Sequence, residues 1–512
     1  MAAETTPVPE KPAVKRATIS DKKIWIPLAT VIVAVICLVI VIPVVIVEKN
    51  KHHHPAIQIA ISGSETPNDH WTPDRPDPYI CEYLGENSCW QPKYATPGSP
   101  PYTHDGNWPA RSKTCVVPSG NSSSVDDGPA ILKAFDDCKV DGHIIFQNTT
   151  YHINTVMNTT GLKHVDVEVK GRLVWGTDID YWLNHSLPIG FQNQSSAWIF
   201  GGDDVHFYGH GDGTLDGNGD TWYAYDGGRS NLHGRPHAIT IMDTTHSVIE
   251  GLRFVQSQMW TMTVARSEKV LLQDIYINNT SSGGQKRHLN TDGCDTLYAD
   301  DLSFLRWTVD NGDDAIALKQ NSTNIYIANS TFYHGPGLAF GSIGQYPGQI
   351  EIIANVTVED IICQDTMYCA RLKTWTGQVI GYPPNGGGGG VGYTKNVTMR
   401  NFELRNSSVG FGIAQCTNYL RSRPKDDSIC DTSFYQVSDI RFINATGTIT
   451  SPNVATLQCS ANAPCSGIDF SNNNVSPVGA AAQSATGYLC SNVKDPIGFQ
   501  CTDKCKGHCA HI

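Results

Sequence analysis

Long basic runs and sustained helical periodicity are both missing from most of this 512-residue sequence. Its 37 Lys and Arg residues are outnumbered by 49 Asp and Glu residues, which gives a formal net charge of −12. Without a basic surface to neutralise phosphates, nucleic acid is not expected as a partner. No cysteine cluster has a histidine at zinc-finger spacing, and no dense calcium-binding loop occurs. We therefore predict no cofactor and no metal.

Short strands and tight turns are what the composition favours, because 47 glycines and many asparagines stand among Val, Ile and Thr residues. One short helix is predicted from residue 128, after an acidic start with a following proline. Beyond it, similar β-rich segments recur, often at intervals in the low twenties, as from Leu302 to Ile325. Each is too short to bury its own apolar face. Stacking into a solenoid capped by the helix is therefore favoured over a β-sandwich.

Cysteines and glycosylation sequences both indicate the secretory pathway. The chain has sixteen cysteines and fourteen Asn-x-Ser/Thr sequences, and such usage fits an oxidising compartment. Cysteines often fall in close pairs, namely Cys81/Cys89, Cys363/Cys369 and Cys459/Cys465. Fifteen cysteines follow the apolar run that contains Cys37, so one of them lacks a partner, and Cys294 is the candidate. Zinc is the less favoured interpretation of the tail that holds Cys501, Cys505, His508 and Cys509.

An apolar run at 24–47 carries no charge and is long enough, at ~1.5 Å per residue, to cross a bilayer core of ~30 Å. Several basic residues precede it and only Lys49 and Lys51 closely follow. This asymmetry predicts a type II signal anchor, with 1–23 in the cytoplasm and the rest at the cell surface or outside. A cleaved signal peptide, which would make the protein secreted, is the alternative. The long leader and the lack of a small-x-small site before Glu48 argue against it.

Three further segments are predicted after the anchor. Residues 48–114 have little apolar periodicity and are expected to form a stalk and a disulfide-tied lead-in. The solenoid is predicted over 115–450, and 451–512 is interpreted as a Cys-rich extension that packs on it. The overall class is thus all-β, preceded by a transmembrane helix and a stalk.

Four short polar sequences follow one another within 84 residues, namely Asn290-Thr291-Asp292-Gly293, Gly312-Asp313-Asp314, His334-Gly335 and Arg371-Leu372-Lys373. Asp313 lies 21 residues after Asp292, and His334 lies 20 residues after Asp314. In a parallel coil, one turn of ~20 to 25 residues stacks matching positions about 4.8 Å apart. These side chains are therefore expected on consecutive rungs. Adjacent residues 313 and 314 share a cleft only at a bend, which Gly312 can supply.

This ordered set resembles the polygalacturonase family of glycoside hydrolases over roughly residues 115–450, most closely its fungal exo-acting members. The resemblance implies a right-handed, single-stranded parallel β-helix. It also implies an exo-acting, inverting hydrolase that releases α-linked galacturonic acid from pectin, either polygalacturonan or rhamnogalacturonan. By the same resemblance, Asp313 is the general acid, Asp292 and Asp314 activate water, and His334 tunes the acid.

The residue types fit that chemistry. Hydrolysis needs one protonated and one ionised carboxyl, and mutual repulsion among three aspartates raises the proton affinity of one of them. Arg371 and Lys373 suit a substrate with a carboxylate on each sugar, although a surface ion pair is the structural alternative. Asn290 and Trp375 are also predicted to bind substrate, Trp375 through a flat ring face. For His334, a polar residue that only caps a rung is the alternative.

Other activities stay open at this point. An endo-acting polygalacturonase differs only in its loops, and an insert such as 376–394 could close one end of the groove. A pectate or pectin lyase would use calcium and a basic proton acceptor, and a type II glycosyltransferase would need a nucleotide-sugar site. A non-catalytic pectin-binding wall protein would not need the three acids. We expect a monomer whose partner is a pectic polysaccharide or an oligogalacturonide.

Overall fold

The recurring β-rich segments are strands of a parallel coil in the computed structural model. The structure describes residues 101–227, 231–283, 289–381, 383–417, 427–506 and 509. The predicted anchor at 24–47, the tail before it and most of the stalk lie outside these residues. Within the described ranges, no helix is both long and apolar enough to cross a bilayer. The all-β class is confirmed, and the right-handed sense of the coil stays a prediction.

Strands make up most of the described chain. They are β1 (Lys113–Val117), β2 (Val140–Phe146), β3 (Thr150–Ile153), β4 (Met157–Val169), β5 (Arg172–Trp175), β6 (Leu187–Pro188), β7 (Ser195–Ser196), β8 (Trp198–Tyr208), β9 (Thr214–Asp216), β10 (Pro236–His237), β11 (Ile239–Met242), β12 (Thr245–Glu250), β13 (Arg253–Val255), β14 (Met262–Ala265), β15 (Glu268–Gln273), β16 (Tyr276–Asn278), β17 (Cys294–Leu297), β18 (Asp300–Leu305), β19 (Thr308–Asp310), β20 (Ile316–Leu318), β21 (Ser322–Tyr333), β22 (Leu338–Ile343), β23 (Ile350–Gln364), β24 (Tyr368–Trp375), β25 (Val391–Ser407), β26 (Val409–Thr417), β27 (Gln436–Ile443), β28 (Thr446–Ile449), β29 (Asn453–Gln458), β30 (Cys465–Asp469), β31 (Asn474–Pro477), β32 (Gly487–Ser491), β33 (Val493–Lys494) and β34 (Asp503–Lys504).

Three parallel ladders form the faces of the coil. The first runs through β8, β11, β14, β17, β20, β22, β24, β26, β29, β32 and β34. The second begins at β1 and β2, and the third at β3 and β5. Paired positions are one turn apart in sequence, as Cys294 is from Ile316 and Ile316 is from Leu338. Each turn thus adds one strand to each face, and the first ladder carries the polar motifs.

Asparagines form one corner of the coil. Asn324, Asn355 and Asn396 have φ angles of 56°, 56° and 55°, a left-handed conformation that asparagine tolerates better than most residues. Their amides bond in a row, since Asn355 donates to Asn324 at 3.1 Å and Asn396 donates to Asn355 at 2.8 Å. Two of the glycosylation sequences, at Asn355 and Asn396, are therefore explained by the corner itself.

The interior is apolar, and a helix covers its first rungs. The described helices are α1 (Gly128–Asp137), α2 (Ile179–His185) and α3 (Gly219–Asp226), with 3-10 turns at Asp427–Thr432 and Gly479–Ala481. Within α1, Phe135 is 2% exposed and packs edge-on against Trp198, with ring centroids 5.9 Å apart. The predicted helix and its capping place are thus confirmed. A disulfide from Cys115 to Cys138 ties β1 to the end of α1.

The C-terminal segment continues the coil. Strands β29 to β34 pair with the preceding rungs, so the ladders run on through the predicted boundary at 450. The disulfides join Cys115 to Cys138, Cys363 to Cys369, Cys416 to Cys430, Cys459 to Cys465, Cys490 to Cys501, and Cys505 to Cys509. The tail cysteines are therefore disulfide-bonded, which removes the zinc interpretation. Cys294 is buried and unpaired, as the sequence suggested. The pair Cys81/Cys89 and His508 lie outside the described residues.

Candidate active site

Two turns that precede strands of the first ladder bring the acidic motifs together. Gly293, just before β17, donates its N–H to the carbonyl of Asp314, just before β20, at 2.9 Å. The buried Asn311 side chain donates to the carbonyls of Thr291 and Asp314, at 2.9 Å each. These bonds hold the two turns in register. Thr291 and Asn311 were not identified from the sequence as supports of the site.

Close approach of the next rung requires a glycine. A Cβ on Gly335 would lie 2.2 Å from the carbonyl oxygen of Asp313, closer than any real contact. Gly312 lies in the bend and donates its N–H to the Thr291 hydroxyl at 3.1 Å. The predicted bend before the Asp313/Asp314 pair is therefore present, and both acids belong to one pocket.

The three predicted aspartates form one cluster. One oxygen from each of Asp292, Asp313 and Asp314 lies within 4.8 Å of the others. Asp292 is 3% exposed and Asp314 is 1% exposed, whereas Asp313 is half-buried. Asp313 accepts hydrogen bonds from the backbone N–H of Asn290 at 2.8 Å and of Asp314 at 3.0 Å. The N–H of Asn290 thus orients an acid, a contact that substrate binding alone did not predict.

Two cations hold Asp314. Arg371 Nη2 lies 2.8 Å from Asp314 Oδ1, and Lys373 Nζ lies 2.7 Å from Oδ2. Leu372, between them, turns into the core as strand alternation predicts. Burial alone would raise the pKa of Asp314, but the charges of Arg371 and Lys373 outweigh it and hold the pKa well below its usual range. This cation pair therefore faces an acid in the cleft and is not an exposed surface pair.

Asp292 has the opposite electrostatic environment. Burial, followed by the charges of Asp295, Asp313 and Asp314, raises the pKa of Asp292 well above its usual value. Within the described residues, its Oδ1 accepts no hydrogen bond. Asp292 and Asp314 are one rung apart, yet one favours the protonated form and the other the ionised form. The cluster can therefore hold a proton and a negative charge at the same pH.

A buried acid and a buried lysine complete the site, and the sequence did not single out either one. Asp295 is 0% exposed, and Lys319 Nζ lies 3.1 Å from its Oδ1. The pKa of Asp295 is raised to about 7, chiefly by burial, and Lys319 offsets part of this rise. Asp295 faces the cleft because it lies between the core-facing residues Cys294 and Thr296. That alternation after Asp292 was the signal available in the sequence.

His334 lies on the rung after the aspartates. Its Nδ1 is 2.8 Å from Asp310 Oδ1, and its side chain is 20% exposed. Asp310, the last residue of β19, thus holds the imidazole. Its neighbour Gly335 lies against the Asp313 carbonyl, so His334 belongs to the rung next to the acids. Its tuning of the acid stays a prediction.

Trp375 is the one predicted site residue that the structure places differently. It is 2% exposed, so the expectation of an open ring face for a sugar is wrong. The register of β24 shifts between Lys373 and Trp375. The following loop then folds back, with the N–H of Gly389 bonded to the carbonyl of Thr376 at 2.9 Å. Neither the register shift nor the folded-back loop can be predicted by counting alternate residues along a strand.

Small residues leave room above the first ladder. In one row of paired positions, Asp295 is followed by Ala317, Ala339 and Arg371 on successive rungs. The two alanines form a shallow floor between the acid end and the basic end. The same three clustered aspartates could in principle chelate a cation. Because Arg371 and Lys373 already contact both oxygens of Asp314, we do not assign the cluster as a metal site.

Three loops interlock beside this floor, and we call residues 187–194, 344–349 and 383–390 the loop wall. The Gln192 amide donates to the Gln345 side chain, and Gln345 donates to the carbonyls of Pro384 at 3.0 Å and Gly386 at 2.8 Å. An outer apolar cluster seats the wall on the ladder, and its members are Ile189, Phe191, Ile199, Met242, Met259, Trp260, Ala265 and Leu297. Lys319 Nζ lies 5.0 Å from the Trp260 ring. The wall therefore adjoins the cleft.

Comparisons with known proteins agree with this architecture. The family described as glycosyl hydrolases family 28 matches residues 149–503. Alpha-L-rhamnosidase rgxB of Aspergillus niger is 46% identical over 398 residues, which cover 77% of this chain and 91% of that protein. Putative galacturan 1,4-alpha-galacturonidase A of Aspergillus niger is 40% identical over 382 residues, which cover 70% of this chain and 86% of that protein.

A solved structure gives the same architecture. Endo-xylogalacturonan hydrolase from Aspergillus tubingensis aligns with a TM-score of 0.64 and 23% identity, covering 77% of this chain and 100% of that one. At that identity, the likeness bears on the fold alone. It agrees with the parallel coil that the strand pairings define.

Proposed function

The chain belongs to family 28 of the glycosyl hydrolases, and from this premise we propose that it is an exo-acting hydrolase of pectic chains that contain galacturonic acid. One observation carries the proposal: Asp314 is held by Arg371 and Lys373 beside two further carboxyls within 4.8 Å. This arrangement places acid/base chemistry next to positive charge. A pectic substrate needs both, because the glycosidic oxygen must be protonated and the sugar carboxylate must be bound.

We assign Asp313 as the general acid. It is the least buried of the three aspartates, so its carboxyl can reach a leaving oxygen in the cleft. Asp314 stays ionised because of its two cations, and with Asp292 it holds the attacking water. Burial and the neighbouring acids raise the pKa of Asp292, so it favours the protonated form. The proton of the cluster must therefore move towards Asp313 when substrate binds. The carboxyl oxygens involved lie within 4.8 Å of one another.

Inversion at the anomeric carbon is part of the proposal. The aspartate oxygens lie closer than the ~6.5–9.5 Å usual for two-carboxylate inverting enzymes. Here, however, two carboxylates share the water, so the two-carboxylate distance rule does not apply directly. Retention would need a nucleophile. Asp314 is a weak one, because it is 1% exposed and two cations contact its oxygens.

The basic pair supports an anionic substrate. Arg371 and Lys373 share one ionised carboxylate, so the three groups together carry one net positive charge. Their side chains are 17% and 12% exposed, which shields them from salt. A sugar carboxylate beside them would gain hydrogen bonds in which both partners are charged, whereas a hydroxyl of a neutral hexose would leave only the donor charged.

The loop wall supports exo over endo action. An endo enzyme needs a groove open at both ends, whereas an exo enzyme needs a barrier beyond the first sugar. Side chains 153 residues apart, Gln192 and Gln345, are bonded across the wall. The barrier is therefore cross-linked and supported by buried apolar residues. We propose that it limits the cleft to the chain end.

A second candidate is release of a terminal rhamnose from a rhamnogalacturonan chain. It is favoured by the relative named as an alpha-L-rhamnosidase, at 46% identity. In that case the basic pair would bind the galacturonate next to the rhamnose. A pectate or pectin lyase, the rival activity, is less favoured, because the cluster of Asp292, Asp313 and Asp314 fits acid/base hydrolysis better than proton abstraction by a basic residue. Action as a monomer, outside the cell or at its surface, stays part of the proposal.

The test is to identify the first product. We would incubate the purified protein with polygalacturonate and with rhamnogalacturonan oligomers that end in rhamnose or in galacturonate. Free galacturonate alone from the outset supports the first proposal, and free rhamnose supports the second. Oligomers released early would contradict exo action, and an unsaturated product with ultraviolet absorbance would contradict hydrolysis.

A matched pair of variants tests the acid. Asp313→Asn should abolish turnover while binding of an oligogalacturonide stays within about twofold, because general acid catalysis contributes about 10² to 10⁴ in rate. Asp274→Asn is the control, since Asp274 lies in an exposed pair with Arg306. It should retain full activity. Normal turnover in Asp313→Asn would remove that residue from its role.

A further inference from the structure

An ion pair without an assigned role lies beneath the cleft. Asp295 is 0% exposed and the Lys319 side chain is 8% exposed, with 3.1 Å between Lys319 Nζ and Asp295 Oδ1. Burying both charges is unfavourable unless their contact offsets the lost hydration. Such a pair gives little net stability compared with apolar residues of the same size. Its place in the floor of the site therefore suggests a functional reason.

Lys319 connects the acid end of the cleft with the basic end. Its Nζ also donates to the carbonyl of Gly341 at 3.1 Å. Gly341 pairs across the ladder with Lys373, which contacts Asp314. At φ +105°, Gly341 has a conformation that other residues rarely adopt, and a Cβ there would lie 2.2 Å from the Lys373 carbonyl. Lys319 thus holds the backbone that carries a substrate-facing cation.

Asp295 is adjacent to the acid cluster. It follows Asp292 by three residues and is the second residue of β17. Among charged neighbours, Asp295 contributes most to the electrostatics of Asp292 after burial. Asp295 is 0% exposed and Lys319 is 7% exposed, so neither is as accessible to a sugar as the half-buried Asp313. Both therefore act through other residues.

We propose that Asp295 and Lys319 are a positioning pair that sets the number of protons held by Asp292, Asp313 and Asp314 and keeps the Lys373 rung in place. The proposal rests on the proposed function only for its kinetic readout. It assigns a role to two residues outside the acid and cation motifs. It also explains why a lysine, and not an apolar residue, lies against the ring of Trp260.

Among the described residues, three other cations in this region have carboxylate partners of their own. Arg371 and Lys373 contact Asp314, and Arg235, from the preceding rungs, contacts Asp226 at 2.7 Å. His237 is neutral, because burial, with the charges of Arg235 and Lys319, lowers its pKa to about 3.

One further ionisable group lies next to the pair. Cys294 stays a thiol, because burial and the charges of Asp295 and Asp292 raise its pKa. Among the described residues outside the acid cluster, Asp295 and Lys319 are thus two charges that act on Asp292.

The substitutions Asp295→Asn and Lys319→Met should change the proton affinity of the acid cluster to different extents. Above about pH 7, where Asp295 is ionised, Asp295→Asn leaves the buried cation of Lys319 without its carboxylate, which favours ionisation of Asp292. Lys319→Met instead leaves a carboxyl that is already easily protonated, so Asp295 takes up a proton and the net charge stays near that of the wild type. The double variant, Asp295→Asn with Lys319→Met, has no charge at either position. Only Asp295→Asn should therefore change the proton affinity of the cluster.

The measurement is the pH profile of kcat/KM for the three variants and the wild type. Its alkaline limb reports loss of the proton that the mechanism requires. We expect this limb to move down by about one pH unit in Asp295→Asn, the size of a single charge acting through a partly buried site. It should stay within about 0.3 unit in Lys319→Met and in the double variant. An unmoved limb in Asp295→Asn, or a uniform loss of rate at every pH, would overturn the proposal.

A second measurement needs no substrate. A carboxyl whose pKa is raised on folding contributes stability that is fully present below its unfolded pKa and is lost as pH rises to the folded pKa. Because folding raises the pKa of Asp295 from 3.8 to about 7, the wild-type Tm should fall between about pH 4 and pH 7. The fall should be smaller in Asp295→Asn, and equal falls would contradict the proposal. If the protein has no pectic activity but this difference appears, the proposed function fails, while Asp295 still titrates as the positioning pair requires.

Discussion

Replacing Asp314 by asparagine should separate binding from catalysis. The substitution keeps the shape of the side chain but removes the carboxylate that Arg371 and Lys373 contact at 2.8 Å and 2.7 Å. The net charge of the three groups rises from +1 to +2. A substrate carboxylate then meets two cations that no longer share an internal anion. Turnover should fall by about 10² to 10⁴, the usual contribution of an acid/base group.

Binding should become tighter in the same variant. A hydrogen bond to a charged group contributes ~1.5–3 kcal/mol, and each 1.4 kcal/mol is a factor of ten in Kd. Asp314→Asn should therefore bind a galacturonate oligomer about ten to a hundred times more tightly than the wild type. Isothermal titration at low and at physiological salt measures this difference. The gain should persist at physiological salt, because both cations are mostly shielded from solvent.

The control is an exposed ion pair of similar geometry. Arg266 donates two hydrogen bonds of 2.8 Å to Asp243, and both side chains are at least half exposed. Asp243→Asn should leave the oligomer affinity unchanged. Weaker or unchanged binding in Asp314→Asn, with a normal melting curve, would refute the assignment of Arg371 and Lys373 to the substrate carboxylate.

Four further outcomes are expected. Trp375→Leu should lower stability by about 2 to 4 kcal/mol in a denaturant titration, as buried large-to-small changes do, with KM within about twofold. Cys294 should resist alkylation in the native protein and react after unfolding, as mass spectrometry of its peptide would show. Proton NMR at early times should show the β-anomer first, and an initial α-anomer would mean retention. Combined Gln192→Ala and Gln345→Ala should make oligomers appear beside the monomer product, and unchanged products would separate the loop wall from exo action.

Much of the site followed from the sequence because the spacing of a coil is local. Intervals of about one turn place Asp292, Asp313 and His334 on successive rungs without any knowledge of the remaining chain. Alternation along one strand likewise accounts for Leu372, which faces the core between two cations. These rules need only the period of the strand, so they held wherever the strand was regular.

What the sequence did not show depends on contacts between rungs. The ion pair of Asp295 and Lys319 joins two strands, and neither residue stands in a motif of its own. Trp375 fails the alternation rule because the ladder shifts its register there. The loop wall joins Gln192 to Gln345 through amide side chains that look like ordinary loop residues. Such features arise from three-dimensional neighbours and have no local period.

The direction of the pKa shift of each buried carboxyl depends on whether cations contact it. Asp292 and Asp314 have the same chemistry and similar burial, yet their pKa values are shifted in opposite directions. Uncompensated cations would be unfavourable in so sheltered a cleft, so the protein holds Arg371 and Lys373 against one of its own acids. A substrate carboxylate must compete with Asp314 for them. Binding therefore perturbs the same carboxyl cluster that performs the reaction, which links recognition of the anionic sugar to the movement of the catalytic proton.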